Sequence, residues 1–153
     1  DEDFSVILAD DLIDGRLRPC LAQMQRVYQE YGTSVIATER VPKEDISGYG
    51  VVDVHPVGPG LGEIRAIVEK PKPEDAPSNL AVVGRYILTP RIFKLLERTP
   101  RGKGGEIQLT DAIEAMIQEQ TVLAYEFEGT RYDCGSKLGY LSWQKTSASI
   151  WGN

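Results

Sequence analysis

FSVILADD, residues 4–11, carries four apolar residues, Val6 to Ala9, straight into Asp10 and Asp11. Such a run reads as a buried strand over Phe4–Ala9 tipped with two carboxylates. Alternation along a strand sends the two acids to opposite faces, so one of them is expected to serve local structure. Downstream, Leu21, Met24, Tyr28 and Tyr31 recur at spacings of three, four and three behind Pro19. That is one face of a helix over Pro19–Tyr31, with proline in its first turn and Gly32 just past its end. Thr33–Thr38 then reads as a strand. Strand, helix, strand is a βαβ unit, which favours parallel pairing.

The middle of the chain is richer in turns. Strand patterns over Tyr49–Val54, Ile64–Val68 and Ala81–Leu88 are separated by the glycine-rich HPVGPGLGE, residues 55–63, and by a loop holding Pro71, Pro73 and Pro77. Thr89-Pro90 is expected to cap a short helix with Ile92, Leu95 and Leu96 inside. Thr110 is expected to cap another, with Ile113, Met116 and Ile117 inside. Gly104-Gly105-Glu106 ahead of it reads as a lid or a linker. Thr121–Phe127 is a further strand, and Arg131-Tyr132-Asp133 ends on another acid. The expected architecture is one α/β domain with a mixed sheet.

Composition narrows the function classes. At 153 residues, 41% apolar and 26% charged, the chain suits one globular domain. A net charge of −6 without a basic stripe argues against nucleic acid as a partner. No apolar run reaches the length of a membrane span and no secretory leader pattern opens the chain, so a cytoplasmic setting without a membrane partner is expected. Cys20 and Cys134 form no CxxC pair, which fits a reducing compartment. His55, the one histidine, precedes Pro56 in a loop-like stretch. Neither a histidine-based triad nor most zinc sites are therefore expected. There is no GxxxxGK[ST] loop and no GxGxxG.

Ligands of open α/β sheets gather beyond the carboxyl ends of the strands. Asp10, Glu69-Lys70 and Asp133 fall at such ends. Each has a plain alternative, since acids there commonly just solubilise a turn. Asp10 and Asp133 can share one ion if their strand ends converge; Mg²⁺ takes one or two carboxylates plus substrate phosphates and water. At Glu69-Lys70-Pro71, a carboxylate suited to vicinal sugar hydroxyls stands beside an ammonium suited to a phosphate. Alternation sends those two side chains apart, so each would touch a different part of one ligand. Gly50 and Gly84 lie inside strand patterns, where glycine marks close approach of a ligand or another backbone, or else a bulge.

FSVILADDLID, YGVVDV, IVEKPKPEDAPSNLAVVGRYIL, GGEIQLTDAI and RYDCGSKLGY, in that order, resemble the bacterial UTP–glucose-1-phosphate uridylyltransferases of the sugar-nucleotide pyrophosphorylase superfamily. The resemblance covers roughly residues 1–140. It implies a Rossmann-like mixed sheet with flanking helices, incomplete at its N-terminal side. FSVILADD then reads as an internal strand, and residues 1–140 as the second half of a single nucleotidyltransferase domain. Residues 141–153 read as an atypical tail, polar and β-branched where the family continues an amphipathic helix.

The same resemblance implies that Asp10 binds Mg²⁺ beside the nucleotide phosphates, with Asp133 as the second metal acid. It implies that Glu69 holds glucose hydroxyls, that Lys70 contacts the sugar phosphate, and that Gly50 and Gly84 line the sugar site. The implied reaction joins UTP to glucose 1-phosphate, giving UDP-glucose and pyrophosphate, with Asp10 and Lys70 as the catalytic groups, in a homo-oligomer. The family's glycine-rich nucleotide loop is absent from these residues, so this chain alone is expected not to turn over. Two other readings remain. One is a non-catalytic sugar-phosphate-binding or assembly fragment, and the other a pyrophosphorylase using another nucleotide such as dTTP.

Overall fold

The computed structural model describes residues 2–102 and 105–151, with side chains as far as Ser147. Lys103 and Gly104 lie outside the described residues, and with Gly104 the first residue of the expected lid or linker. The elements begin with β1 (Phe4–Ile7), β2 (Asp11–Asp14), α1 (Cys20–Tyr31) and β3 (Ser34–Arg40). A 3-10 turn (Lys43–Gly48), β4 (Gly50–Gly58), β5 (Leu61–Glu69) and β6 (Leu80–Leu88) follow. Then come α2 (Arg91–Leu96), α3 (Leu109–Met116), β7 (Val122–Glu126), β8 (Thr130–Asp133) and α4 (Lys137–Trp151). The α/β reading with a mixed sheet and flanking helices holds.

Six strands form one sheet in the order β1-β6-β3-β7-β5-β4, and β4 also touches β6 through Val51–Ala81. Among the described residues only β3–β7 is parallel. The expected βαβ pairing is therefore corrected. β1 and β3 run the same way, but β6 lies between them and pairs antiparallel to both, and the strand that leads into α1 is β2 of a separate ribbon. The reason is burial: all nine residues of β6 are buried, so it needs a neighbour on each edge. β2 and β8 form a separate ribbon with Asp11 opposite Asp133.

FSVILADD is thus not one strand. β1 stops at Ile7, a turn crosses Asp10, and Asp11 opens β2. Among the described residues β1 lies at one edge of the sheet, and Ile7 at its end and Leu8 just beyond it are 56% and 43% exposed. HPVGPGLGE is a hairpin rather than a break: β4 runs through His55 and Pro56, and register shifts at Pro56/Gly58 accommodate the proline. Neither threonine expected to cap does so. Thr89 Oγ1 accepts from the Gln120 amide at 2.9 Å, and Thr110 lies inside α3. Helix α4 runs on to Trp151, across the stretch read as an atypical tail.

Period-two alternation splits the core. Ile36, Val82 and Leu88 face α2 and α3 with Ile92, Ile113 and Met116. Val35, Ala37, Val83 and Ile87 face α1 with Cys20, Met24 and Phe127. Burial pushes the Cys20 thiol up from 9.0 to about 11, against the pull of Arg85. Burial, aided by the carboxylates of Glu69 and Asp11, pushes Tyr86 up from 10.0 to about 12. Both folded values are raised, so their contribution is full below the unfolded values. It is lost as the unfolded chain ionises and pH climbs through the folded ones. The urea midpoint is expected to fall between about pH 9 and 12, and Tyr86→Phe to flatten the upper part of that fall. A midpoint constant over the window would contradict this.

Candidate active site

Glu69 ends β5 opposite Gly50, the first residue of β4. Its Oε2 accepts from the Thr110 hydroxyl at 2.9 Å. A Cβ on Gly50 would stand 2.8 Å from Thr110 Cγ2 and 3.2 Å from Glu69 Oε2. Glycine at 50 is therefore what lets β4 pass beneath this carboxylate. Helix α3 is held in place by Glu114, which accepts the Ile67 N–H at 2.8 Å. Two residues before Glu69, this bond docks the helix that carries Thr110.

Lys70 has φ 45°, one of only two left-handed non-glycine residues among those described. Its N–H donates to the Tyr49 carbonyl at 2.9 Å. This breaks the alternation that was expected to send Glu69 and Lys70 apart. The ammonium instead comes to 3.7 Å from Glu69 Oε1, while half exposed. A left-handed, side-chain-bearing residue is an uncommon and costly conformation that concentrates at functional sites. The pair thus presents an acceptor and a cation together at one strand end, ready for a ligand bearing hydroxyls and a phosphate.

The second group of acids sits on the β2–β8 ribbon. Cys134 N–H donates to the Asp10 carbonyl at 2.7 Å, and Gly135 N–H to Asp133 Oδ1 at 3.1 Å. A Cβ on Gly135 would lie 3.1 Å from Asp133 Oδ1 and 3.3 Å from Asp10 Oδ2. The structure thus brings the two predicted metal acids to one place, with a glycine leaving the space between them. Their hard oxygens fit a divalent cation that takes its remaining ligands from phosphate and water. No group of three or more His, Cys, Asp or Glu placed to hold a metal occurs among the described residues.

Asp11 serves local structure, but not through alternation with Asp10, since a turn crosses Asp10 and Asp11 opens β2. Its Oδ2 accepts the Gly84 N–H at 2.8 Å and its Oδ1 accepts from Arg131 Nη1 at 2.6 Å. Gly84 is accounted for by this packing: a Cβ there would meet Leu8 Cβ at 2.6 Å and Asp11 Oδ2 at 2.9 Å. The β1–β2 turn thus approaches closely enough to require glycine here. His55 is exposed along β4, away from Gly50.

Three residues of the site carry no sequence expectation of this kind: Thr110, Tyr49 and Arg131. Arg131 also donates to Glu39 Oε2 at 2.9 Å and to Tyr49 Oη at 2.6 Å, and lies 4.9 Å from the Tyr49 ring centre. Burial opposes its charge, but the bonds to Asp11, Glu39 and Tyr49 outweigh that and hold its pKa above the ordinary value. Tyr49 joins the two halves of the site, its carbonyl on Lys70 and its hydroxyl on Arg131. A cleft of about 520 Å³ opens beside it, lined by Asp45, Gly48, Asp133, Ser136 and Leu138. Arg131 shares a strand face with Asp133, which is the one signal the sequence held for it.

Known proteins resemble this chain over most of its length. The model of the family described as nucleotidyl transferase matches residues 1–149. A UTP–glucose-1-phosphate uridylyltransferase of Pseudomonas aeruginosa is 49% identical over 144 residues, covering 92% of this chain and 51% of the relative. One from Staphylococcus epidermidis is 51% identical over 140 residues, covering 92% and 48%. The chain thus spans about half the length of the curated relatives it matches. A crystal structure of UDP-glucose pyrophosphorylase complexed with UDP-glucose superposes with TM-score 0.95 at 48% identity, over 97% of this chain and 57% of that one. A putative glucose-1-phosphate thymidylyltransferase from Bacillus anthracis shares the fold, with TM-score 0.71 at 20% identity over 94% and 54%.

Proposed function

The chain belongs to the nucleotidyl transferase family, and from that premise we propose that the protein to which it belongs joins UTP to glucose 1-phosphate, giving UDP-glucose and pyrophosphate. The observation that supports this reading most directly is the Glu69–Lys70 pair, 3.7 Å apart at the strained end of β5. Glu69, steadied by Thr110, accepts two sugar hydroxyls, and Gly50 lets the sugar approach the backbone. Lys70 neutralises the phosphate. The choice of UTP and glucose rests on the names of the relatives.

The attacking atom is a phosphate oxygen of the sugar, which displaces pyrophosphate at the α-phosphorus of UTP. That oxygen is already anionic, so no side chain has to remove a proton. Catalysis is then positioning and charge neutralisation. Asp10 and Asp133 are the residues that would hold Mg²⁺, which when bound neutralises phosphate charge. Lys70 opposes the charge that builds on the sugar phosphate, and Glu69 fixes the sugar for in-line approach. A cytoplasmic setting and a homo-oligomer belong to the same reading.

The test is UDP-glucose formation by the full-length protein. Product is expected with Mg²⁺, loss of turnover with EDTA, and recovery when Mg²⁺ is restored. Turnover unaffected by EDTA, or no product from UTP and glucose 1-phosphate, would contradict the proposal.

A further inference from the structure

We propose that the groove between the β2–α1 loop and α1 is a second binding site, taking a phosphate group carried on a hydroxyl-bearing ligand of the sugar-phosphate or nucleotide class. The groove has a volume of about 680 Å³, within the range of small-molecule sites. Arg16, Arg18 and Arg26 line it together with Tyr125, Glu30 and Glu128. None of these three guanidiniums has a hydrogen-bond or ion-pair partner among the described residues, whereas Arg40, Arg65, Arg91 and Arg131 are each paired with a carboxylate. In a chain of net charge −6, three unpaired guanidiniums around one groove are placed for an outside anion.

The walls are built rather than loose. Arg16 adopts φ 55°, the second of the two left-handed non-glycine residues, and its N–H donates to Asp14 Oδ1 at 2.9 Å. Gln23 is buried at 7% exposure and fastens one wall to the other. Its amide nitrogen donates to the Arg18 and Glu128 carbonyls, both at 2.8 Å. Its amide oxygen accepts the Glu128 N–H at 2.8 Å and the Tyr125 hydroxyl at 3.2 Å. Gly129 packs so closely that a Cβ would stand 2.3 Å from the Asp14 carbonyl oxygen. Such preorganisation lowers the ordering cost of binding.

The lining also sets the ligand class. Guanidinium forks match phosphate oxygens, while Glu30 and Glu128 leave the groove only weakly positive and offer acceptors for hydroxyls. A bare multivalent anion uses only half of that lining. The site is separate from Glu69–Lys70 and from the metal acids. Gly15 and Gly129 flank the groove end of the β2–β8 ribbon, and Asp11 and Asp133 close the other end, roughly 10 Å along the strands.

The test is calorimetric titration of this chain carrying Lys70→Ala, which disables the first site, with inorganic phosphate, glucose 6-phosphate and uridine monophosphate. Saturable binding is expected, tighter for one of the two organic phosphates than for inorganic phosphate; which one binds tighter identifies the source. Adding Arg16→Gln, Arg18→Gln and Arg26→Gln together is expected to weaken binding roughly tenfold or more. All three side chains are exposed, so the urea midpoint is expected to stay put. Arg26→Gln alone gives a smaller loss in the same direction. Absence of binding, inorganic phosphate binding as tightly as both organic probes, or affinity unchanged in the arginine variants would overturn the proposal.

Discussion

Replacing Arg131 with methionine lowers the unfolding free energy by about 3–5 kcal/mol. The side chains of Arg131 and Asp11 are only 8% and 12% exposed, and their bond is 2.6 Å long. Methionine keeps much of the stem volume but strands the Asp11 carboxylate in a poorly solvated place. Among the described residues, the one donor left to that carboxylate is the Gly84 backbone N–H. Glu39, a third exposed, can turn to water and loses less. Leaving one buried charge unpaired costs more than the intact pair contributes, because the desolvation penalty is no longer offset. The check is a urea unfolding midpoint. A double variant, Arg131→Met with Asp11→Asn, is expected to lose less than the single changes summed. A loss under about 1 kcal/mol in the single variant, the range of exposed surface pairs, would contradict the buried-network description.

Lys70→Ala in the full-length protein is expected to lower turnover by roughly a hundredfold or more, the scale of removing one group aimed at developing charge. Among the described residues the half-exposed ammonium has a single ion-pair partner, Glu69, at 3.7 Å, so its loss disturbs little packing. The left-handed backbone is also easier to explain by use than by stability, since alanine at φ 45° gains nothing from it. The effect should therefore appear in kcat and kcat/KM together, with the urea midpoint nearly unchanged. Near-normal kcat/KM would remove Lys70 from the reaction.

How much of this was legible depended on how far apart the partners lie in the chain. Helix α1 was readable because Pro19, the apolar face and Gly32 are all local, and Gly32 does take the left-handed cap, at φ 65°. Glu69 and Lys70 were readable as chemistry because their residue types sit side by side. Their convergence was not, since one left-handed residue cancels strand alternation. The insertion of β6 between β1 and β3 was hidden for another reason. Strand order is decided by which strand needs two neighbours, and β6 is remote in sequence from both. Thr110 looked like a cap because its true partner is 41 residues away. Arg131 carried no expectation because its three partners stand 82, 92 and 120 residues off. FSVILADD misled through its continuous apolar run, which conceals a turn made where Leu8 packs on Gly84.

The central claim is that Glu69 and Lys70, over Gly50, form a sugar-phosphate site. The most direct test is calorimetric titration of glucose 1-phosphate, with Mg²⁺ present, into this chain and into its Glu69→Gln variant, both carrying Arg16→Gln, Arg18→Gln and Arg26→Gln so that the arginine groove does not contribute. One saturable event is expected in the parent chain. In Glu69→Gln, where a charged acceptor for two hydroxyls is lost, it should weaken roughly tenfold or more. Equal affinity in the two chains, or no binding to the parent, would contradict the claim.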